Sequence, residues 1–346
     1  MQTTIINKLS GLINRAPMDV VGIDCASNGV RLVRMKKGAA GLSLVGAQTV
    51  DPVESVLSPA GGPDSDSGRL SSIPVRVRGR YAALAVPGTH GVVKMLRVAE
   101  QFDSGDKNQM MAKLGCDESE NYRFAVRTIM PATGRSEARL LAAALPEWQA
   151  QALLDLLPSS GLPAPRSIEV SELAVVNAFM RFRRIAGDGE ADGLIHFDHD
   201  VSVFALFNGG VLSQLRAFKF GVTSVLQKVI DTLNVDEQTA EGVLMDGAFD
   251  ISHLVEEGAR EIGNQFLISR DYMERSENCR LKKLYVSGPP SLVSTFMRSM
   301  PHSSEVAEWN AFDGIDTHGD VSEEIEAAPW RVASAIGACV GVLEDE

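Results

Sequence analysis

Two stretches of this chain, about 170 residues apart, share one grammar. The first, DVVGIDCASNGVRLVRM (residues 19–35), reads as an apolar strand closing on Asp24, a turn through Ser27-Asn28-Gly29, and a second strand from Val30 to Met35. Asn-Gly supplies the backbone conformations that a tight hairpin turn needs. The second, GLIHFDHDVSVFALFNGG (193–210), repeats strand, polar turn and strand, and Asn208-Gly209 opens a further hairpin. A unit that recurs at this distance predicts a duplicated α/β domain. Two lobes also suit 346 residues, a length beyond one ordinary core.

Composition narrows the function classes. The chain is 45% hydrophobic and 23% charged, in the range of soluble globular proteins. Its net charge of −12 argues against nucleic acid as a partner, because neutralising phosphates needs clustered cations. Cys25, Cys116, Cys279 and Cys339 lie far apart with no CxxC spacing, so reduced thiols are expected, and neither zinc nor a disulfide framework. Cys25 beside Asp24 reads as a packed small residue, since no cation adjoins it in sequence. No run of roughly 18 apolar residues is present to span a membrane. Residues 1–17 carry Ile5, Ile6, Leu9, Leu12 and Ile13 at helical spacing, which predicts an amphipathic helix that packs on the protein or on a membrane surface.

Between the two units, residues 51–72 are rich in Pro, Gly, Ser and Asp and predict a mobile loop within a first lobe of 18–88. A strand is expected at 80–88 in that lobe, then strands at 92–98, 122–130 and 138–145 with helices at 109–114 and 147–157 as an α+β insert over 89–166. A helix from Ser171 to Arg184 and a Gly-rich linker (167–192) lead to a second lobe at 193–329. That lobe holds helices at 221–233, 236–246 and 251–274 and a strand ending at Gly288. A closing helix with small residues on its packing faces covers 330–346.

This order resembles the actin-like ATPase superfamily and, within it, the PilM-type proteins of type IV pilus assembly. VGIDCASNGVRLV (21–33) is similar to the first phosphate hairpin, and ALAVPGTHGVVKMLRV (83–98) to the strand pair entering the insert. The stretch 140–173 is similar to the segment that leaves it, and 194–244 to the second phosphate hairpin with its helices. LYVSGPPSLVSTFM (284–297) resembles the adenosine turn, and WRVASAIGACVGVL (330–343) the closing helix. The resemblance implies duplicated actin-like (ribonuclease-H-like) lobes carrying a small α+β insert subdomain. It also implies a nucleotide site at Asp24, Ser27, Asn28, Asp198, Glu241, Ser287 and Gly288, in which an Asp at a strand end holds hydrated Mg²⁺ and turn glycines let backbone N–H groups reach phosphate.

Each turn departs from the family pattern. Ala26 replaces a glycine, and Arg31 replaces a lysine. His196-Phe197-Asp198 replaces Asp-x-Gly, Leu244 replaces the lysine after Glu241, and Pro289-Pro290 replaces two glycines. Proline removes an N–H donor. A carboxylate at ~4 Å from a phosphate costs roughly 4 kcal/mol at an effective dielectric near 20. IHFDHD (195–200) therefore reads as a decayed phosphate loop. A metal site built on His196 and Asp198 is the sharper alternative, and ATP binding through unusual ligands is another. No catalytic residue, resident metal or cofactor is expected, with ATP·Mg²⁺ possible but doubted.

The function that the resemblance implies is a cytoplasmic scaffold, peripheral at the inner membrane, in a type IV pilus or secretion-like platform. Its partners would be the cytoplasmic N-terminal peptide of a PilN-like bitopic membrane protein and the pilus motor and platform proteins, with a homodimer possible. The peptide groove is expected between first lobe and insert, with Val86, Pro87, Gly88, Val93 and Met95 as candidate contacts. The alternatives are a working ATPase of the same machine and a polymerising protein of the FtsA or MreB type.

Overall fold

The structure, a computed structural model, describes residues 18–26, 29–51, 70, 72–86, 91–99, 101–133, 137–158, 162–186, 191–246, 249–299 and 304–344. The helix expected over 1–17 and most of the loop expected over 51–72 lie outside them.

The repeated grammar folds into repeated topology. In the first lobe β1 (Asp19–Ala26), β2 (Gly29–Gly38) and β3 (Gly41–Val50) run as an antiparallel meander. β4 (Tyr81–Val86) pairs parallel with β1, and β8 (Ala164–Val170) parallel with β4. In the second lobe β9 (Ala191–Phe197), β10 (Ser202–Asn208) and β11 (Val211–Phe218) form the same meander. β12 (Leu281–Ser287) and β13 (Glu305–Glu308) extend it in parallel. A β1–β2 or β9–β10 hairpin end thus comes to the middle of each sheet's edge, facing the other lobe.

The insert is a three-stranded sheet in the order β5 (Val92–Val98), β7 (Ala138–Pro146), β6 (Tyr122–Met130). Helix α1 (Lys107–Leu114) buries Met110 and Leu114 on one face of it, against Leu96, Leu140 and Ala142. Asp106 caps this helix, its Oδ1 accepting from the backbone N–H groups of Asn108 and Gln109 at 2.9 and 3.2 Å. Helix α2 (Glu147–Asp155), expected within the insert, instead packs Ala150 and Leu153 under the first lobe's sheet. The insert therefore closes at β7, and the chain up to 166 has already returned to the first lobe.

Helix α3 (Ser171–Ala186) lies on the other face of that sheet. The second lobe's core is covered by α4 (Val222–Leu233), α5 (Glu237–Met245), α6 (Ser252–Glu277) and α7 (Pro290–Ser299). The boundary at 329 needs a second correction. β14 (Asp316–Val321) crosses back and pairs parallel with β3, giving the first sheet the order β14-β3-β2-β1-β4-β8. After a short α8 (Glu323–Ala327), α9 (Ala333–Leu343) packs beside α3 against β1, β2 and β4. Small residues permit this approach: a Cβ on Gly337 would sit 1.6 Å from the Ala174 carbonyl oxygen. The lobes share one apolar core. Phe179 of α3 meets Phe207, Tyr285 and Trp309 of the second lobe at ring-centroid distances of 5.6, 5.3 and 5.4 Å.

Candidate functional site

The two hairpin ends meet over the N-termini of α3 and α9. Asp24 faces Arg31 across the β1–β2 ladder, both buried, with Nη1 and Oδ2 3.6 Å apart. Ser171 Oγ donates to Asp24 Oδ1 at 3.4 Å. Ser334 Oγ lies 3.2 Å from Asp24 Oδ2 and 3.2 Å from Asp198 Oδ2. A hydroxyl has one proton, so it can donate to only one of these carboxylates and must accept from the other. Burial, and next the Asp198 charge, push the Asp24 carboxyl up to about 7, against the opposing pull of Arg31, Ser334 and Ser171. Near neutrality the Asp24 carboxyl is therefore still partly protonated. Asp198 is held by its own turn, its Oδ1 accepting from the His199 N–H at 2.8 Å. The space left between the hairpins is about 20 Å³, room for one water.

The two histidines of IHFDHD are buried beside this pair. His196 packs edge-on to Trp309, with centroids 6.2 Å apart, and His199 lies over Trp330 at 5.1 Å. Neither ring has a hydrogen-bonded nitrogen in the structure. Burial lowers the His196 pKa, with the Asp198 charge opposing. Burial, then Arg31, Arg331 and His196, hold His199 well below the usual imidazole range. Both rings are therefore neutral at pH 7. Among the described residues no group of three or more His, Cys, Asp or Glu is placed to hold a metal ion.

At the adenosine turn, Ser287 ends β12 and Gly288 takes φ +151°, where a Cβ would come 2.8 Å from Phe197 Cβ. Glycine is required there to bring the turn onto β9. Pro289 immediately precedes α7, its carbonyl accepting from the Val293 N–H at 2.9 Å. The space between this turn, Glu241 and His199 is about 50 Å³, because Trp330 and Arg331 occupy its wall. Arg331 reaches Glu241 at 3.6 Å and Glu324 at 2.5 Å, so Glu241 is committed to an ion pair. The structure thus brings Asp24, Asp198, Glu241, Ser287 and Gly288 to one region. Ser27 and Asn28 lie outside the described residues. Sequence reasoning missed Ser171, Ser334, Trp330 and Arg331. The only signal for the last three was their position at the head of the small-residue helix.

A far larger opening, about 780 Å³, lies elsewhere. Its walls are one face of the insert sheet (Arg127 on β6, Leu141 and Ala143 on β7), strand β8 at Ile168, and α3 at Val176 and Met180. Among the described residues β6 and β8 are edge strands of their sheets, so this groove runs between two sheet edges. It lies where first lobe and insert meet, with Val211 and Leu212 of the second lobe also lining it, and the candidate contacts do not line it. Val86 is buried inside β4, and Val93 and Met95 sit on β5, at the opposite edge of the insert. Pro87 and Gly88 lie outside the described residues.

Comparison with known proteins fits this architecture. No protein-family model and no curated protein sequence matches the chain. Among solved structures, a PilM-PilN type IV pilus biogenesis complex aligns over 94% of this chain and 99% of that one, with a TM-score of 0.67 and 13% identity. A Bacteroides thetaiotaomicron protein with an actin-like ATPase fold covers 84% and 91% at 11% identity and TM-score 0.45. Ta0583, an archaeal actin homolog, covers 94% and 99% at 11% identity and TM-score 0.41. At these identities the likeness concerns the fold, which is actin-like and of the PilM type.

Proposed function

We propose that this chain, with the fold of PilM, is a scaffold of a type IV pilus or secretion-like assembly platform that holds a short extended peptide of a PilN-like membrane protein. The observation that carries this reading is the groove of about 780 Å³ between the β6 and β8 edges. An extended peptide can add its backbone to such an edge and seat alternate side chains on the apolar floor. Leu141, Ala143, Val176 and Met180 supply that floor, and Arg127 and Arg166 the polar rim. The PilM-PilN structure supports the partner class. The scaffold would be held at the inner membrane face by its partner. No helix among the described residues is long and apolar enough to cross a membrane.

Within this reading the nucleotide site has been given up. Cavities of about 20 and 50 Å³ compare with roughly 300–1,000 Å³ for ordinary ligand sites. The Asp24–Ser334–Asp198 array and the Trp330–Arg331 wall fill the space that phosphates and adenosine would need, so those residues do not fit ATP·Mg²⁺.

A synthetic peptide of the PilN-type cytoplasmic N-terminus, titrated calorimetrically, tests the scaffold role. Binding is expected in wild type and, with Ala143→Arg, weakened about tenfold or more at unchanged melting temperature, since the new side chain obstructs the groove floor. Equal affinity of the variant, or no binding by wild type, would sink the reading.

A further inference from the structure

A second cleft, of about 340 Å³, lies on the same face of the insert sheet, toward its β5 edge. It runs between β5 and β11, which are edge strands of the insert sheet and of the second lobe's sheet, with α6 as its floor. Here α6 does what a soluble helix avoids: Ile268 and Tyr272, one turn apart, are 59% and 43% exposed. Ser269 between them is buried at 3% exposure, and its Oγ has no hydrogen-bond partner in the structure although it lines the cleft. A buried hydroxyl without a partner is costly unless something supplies one.

The charge of the cleft is opposite to that of the chain. In a protein of net charge −12, three arginines line it. Arg139 is spent internally on Glu277, at 2.5 Å, and Glu277 also accepts from Asn208 and Ser213. Arg97 and Arg216 are exposed, and neither pairs with a carboxylate among the described residues; Arg97 lies over the Tyr272 ring at 5.2 Å. An edge backbone, two uncompensated guanidinium groups and an apolar pair specify one kind of occupant: an extended segment alternating acidic and aliphatic side chains. The acids face the arginines, the aliphatic side chains cover Ile268 and Tyr272, and the backbone pairs with an edge.

We propose that the β5–β11 cleft is a docking groove for an acidic, extended segment of a partner protein, separate from the β6–β8 groove. With a strand rise of about 3.3 Å per residue, six residues reach about 20 Å, most of the length of β11. Two grooves on one face of the insert sheet, toward its opposite edges, would let the scaffold bridge two partners.

The probe is a fluorescein-labelled acetyl-Asp-Ile-Glu-Val-Asp-Ile amide, with a charge-reversed Lys-Ile-Lys-Val-Lys-Ile control, read by anisotropy and by hydrogen exchange. The acidic peptide is expected to bind wild type, to lose about tenfold in affinity with Arg97→Glu/Arg216→Glu, and to weaken as salt rises. Protection should appear over residues 92–98 and 213–218, and Ala143→Arg should leave binding unchanged. Three results would each overturn the proposal: no binding, binding indifferent to the double charge reversal, or protection confined to β6 and β8. Because Ala143→Arg tests the other groove alone, failure of one reading is separable from failure of the other.

Discussion

Ser334 has one proton to give and two carboxylates within reach, and this governs how the centre of the molecule responds to pH. Asp24 rises from an ordinary 3.8 to about 7, so the folded chain keeps a proton that the unfolded chain releases. The associated stability is fully present below about pH 4 and lost as pH rises through 7. His196 and His199 work the other way: with folded values lowered, their cost appears as pH falls below the ordinary 6.5. Asp24→Asn isolates the carboxyl, because both histidines remain. Measured by urea unfolding, the variant's stability relative to wild type should climb by about 2–3 kcal/mol between pH 5 and pH 8; a difference independent of pH would refute the raised Asp24 value. Gly288→Ala tests the turn beside it. A side chain at φ +151° and 2.8 Å from Phe197 Cβ should cost about 2 kcal/mol or more, seen as a lower melting temperature.

The contact of α3 with α9 is set by what is missing from it. Gly337→Ala would drive a methyl into the Ala174 carbonyl, so the helices must separate, at about 3 kcal/mol. Gly242→Ala in α5 meets no atom within 4 Å and should stabilise by about 0.5–1 kcal/mol. Thermal melts of the two variants should therefore move in opposite directions. Legibility in the sequence also differed by element. The hairpins announced themselves through Asn28-Gly29 and Asn208-Gly209, and α4 to α6 through apolar spacing. The strands β8 (APRSIEV) and β14 (DTHGDV) carry little apolar signal, because edge strands are held by backbone pairing more than by buried side chains. At the site, Asp24 and Asp198 were readable as paired hairpin residues. The Ser334 hydroxyl that bridges them was not, since it stands 310 positions from Asp24. Nor was the filling of the adenosine turn, which depends on Trp330 and Arg331 arriving from beyond the second lobe.

At the scale of the whole molecule, the lobes share a core through Phe179, Phe207, Tyr285 and Trp309 and leave little room between them. Millimolar ATP·Mg²⁺ should leave the melting temperature unchanged, whereas a ligand at a hundredfold over its Kd would add about 2.7 kcal/mol. A clear upward shift would restore a nucleotide-gated role. The return of β14 and α9 to the first lobe carries its own consequence. Val33, Met35 and Leu44 share their core with Ile336, Val340 and Leu343, which follow them by about 300 residues. A growing polypeptide would hold the first sheet half covered, its apolar face open to misassociation, until those residues have been added. The face made first thus waits for its cover through a long stretch of synthesis, and a nascent chain of this kind needs shelter over that interval.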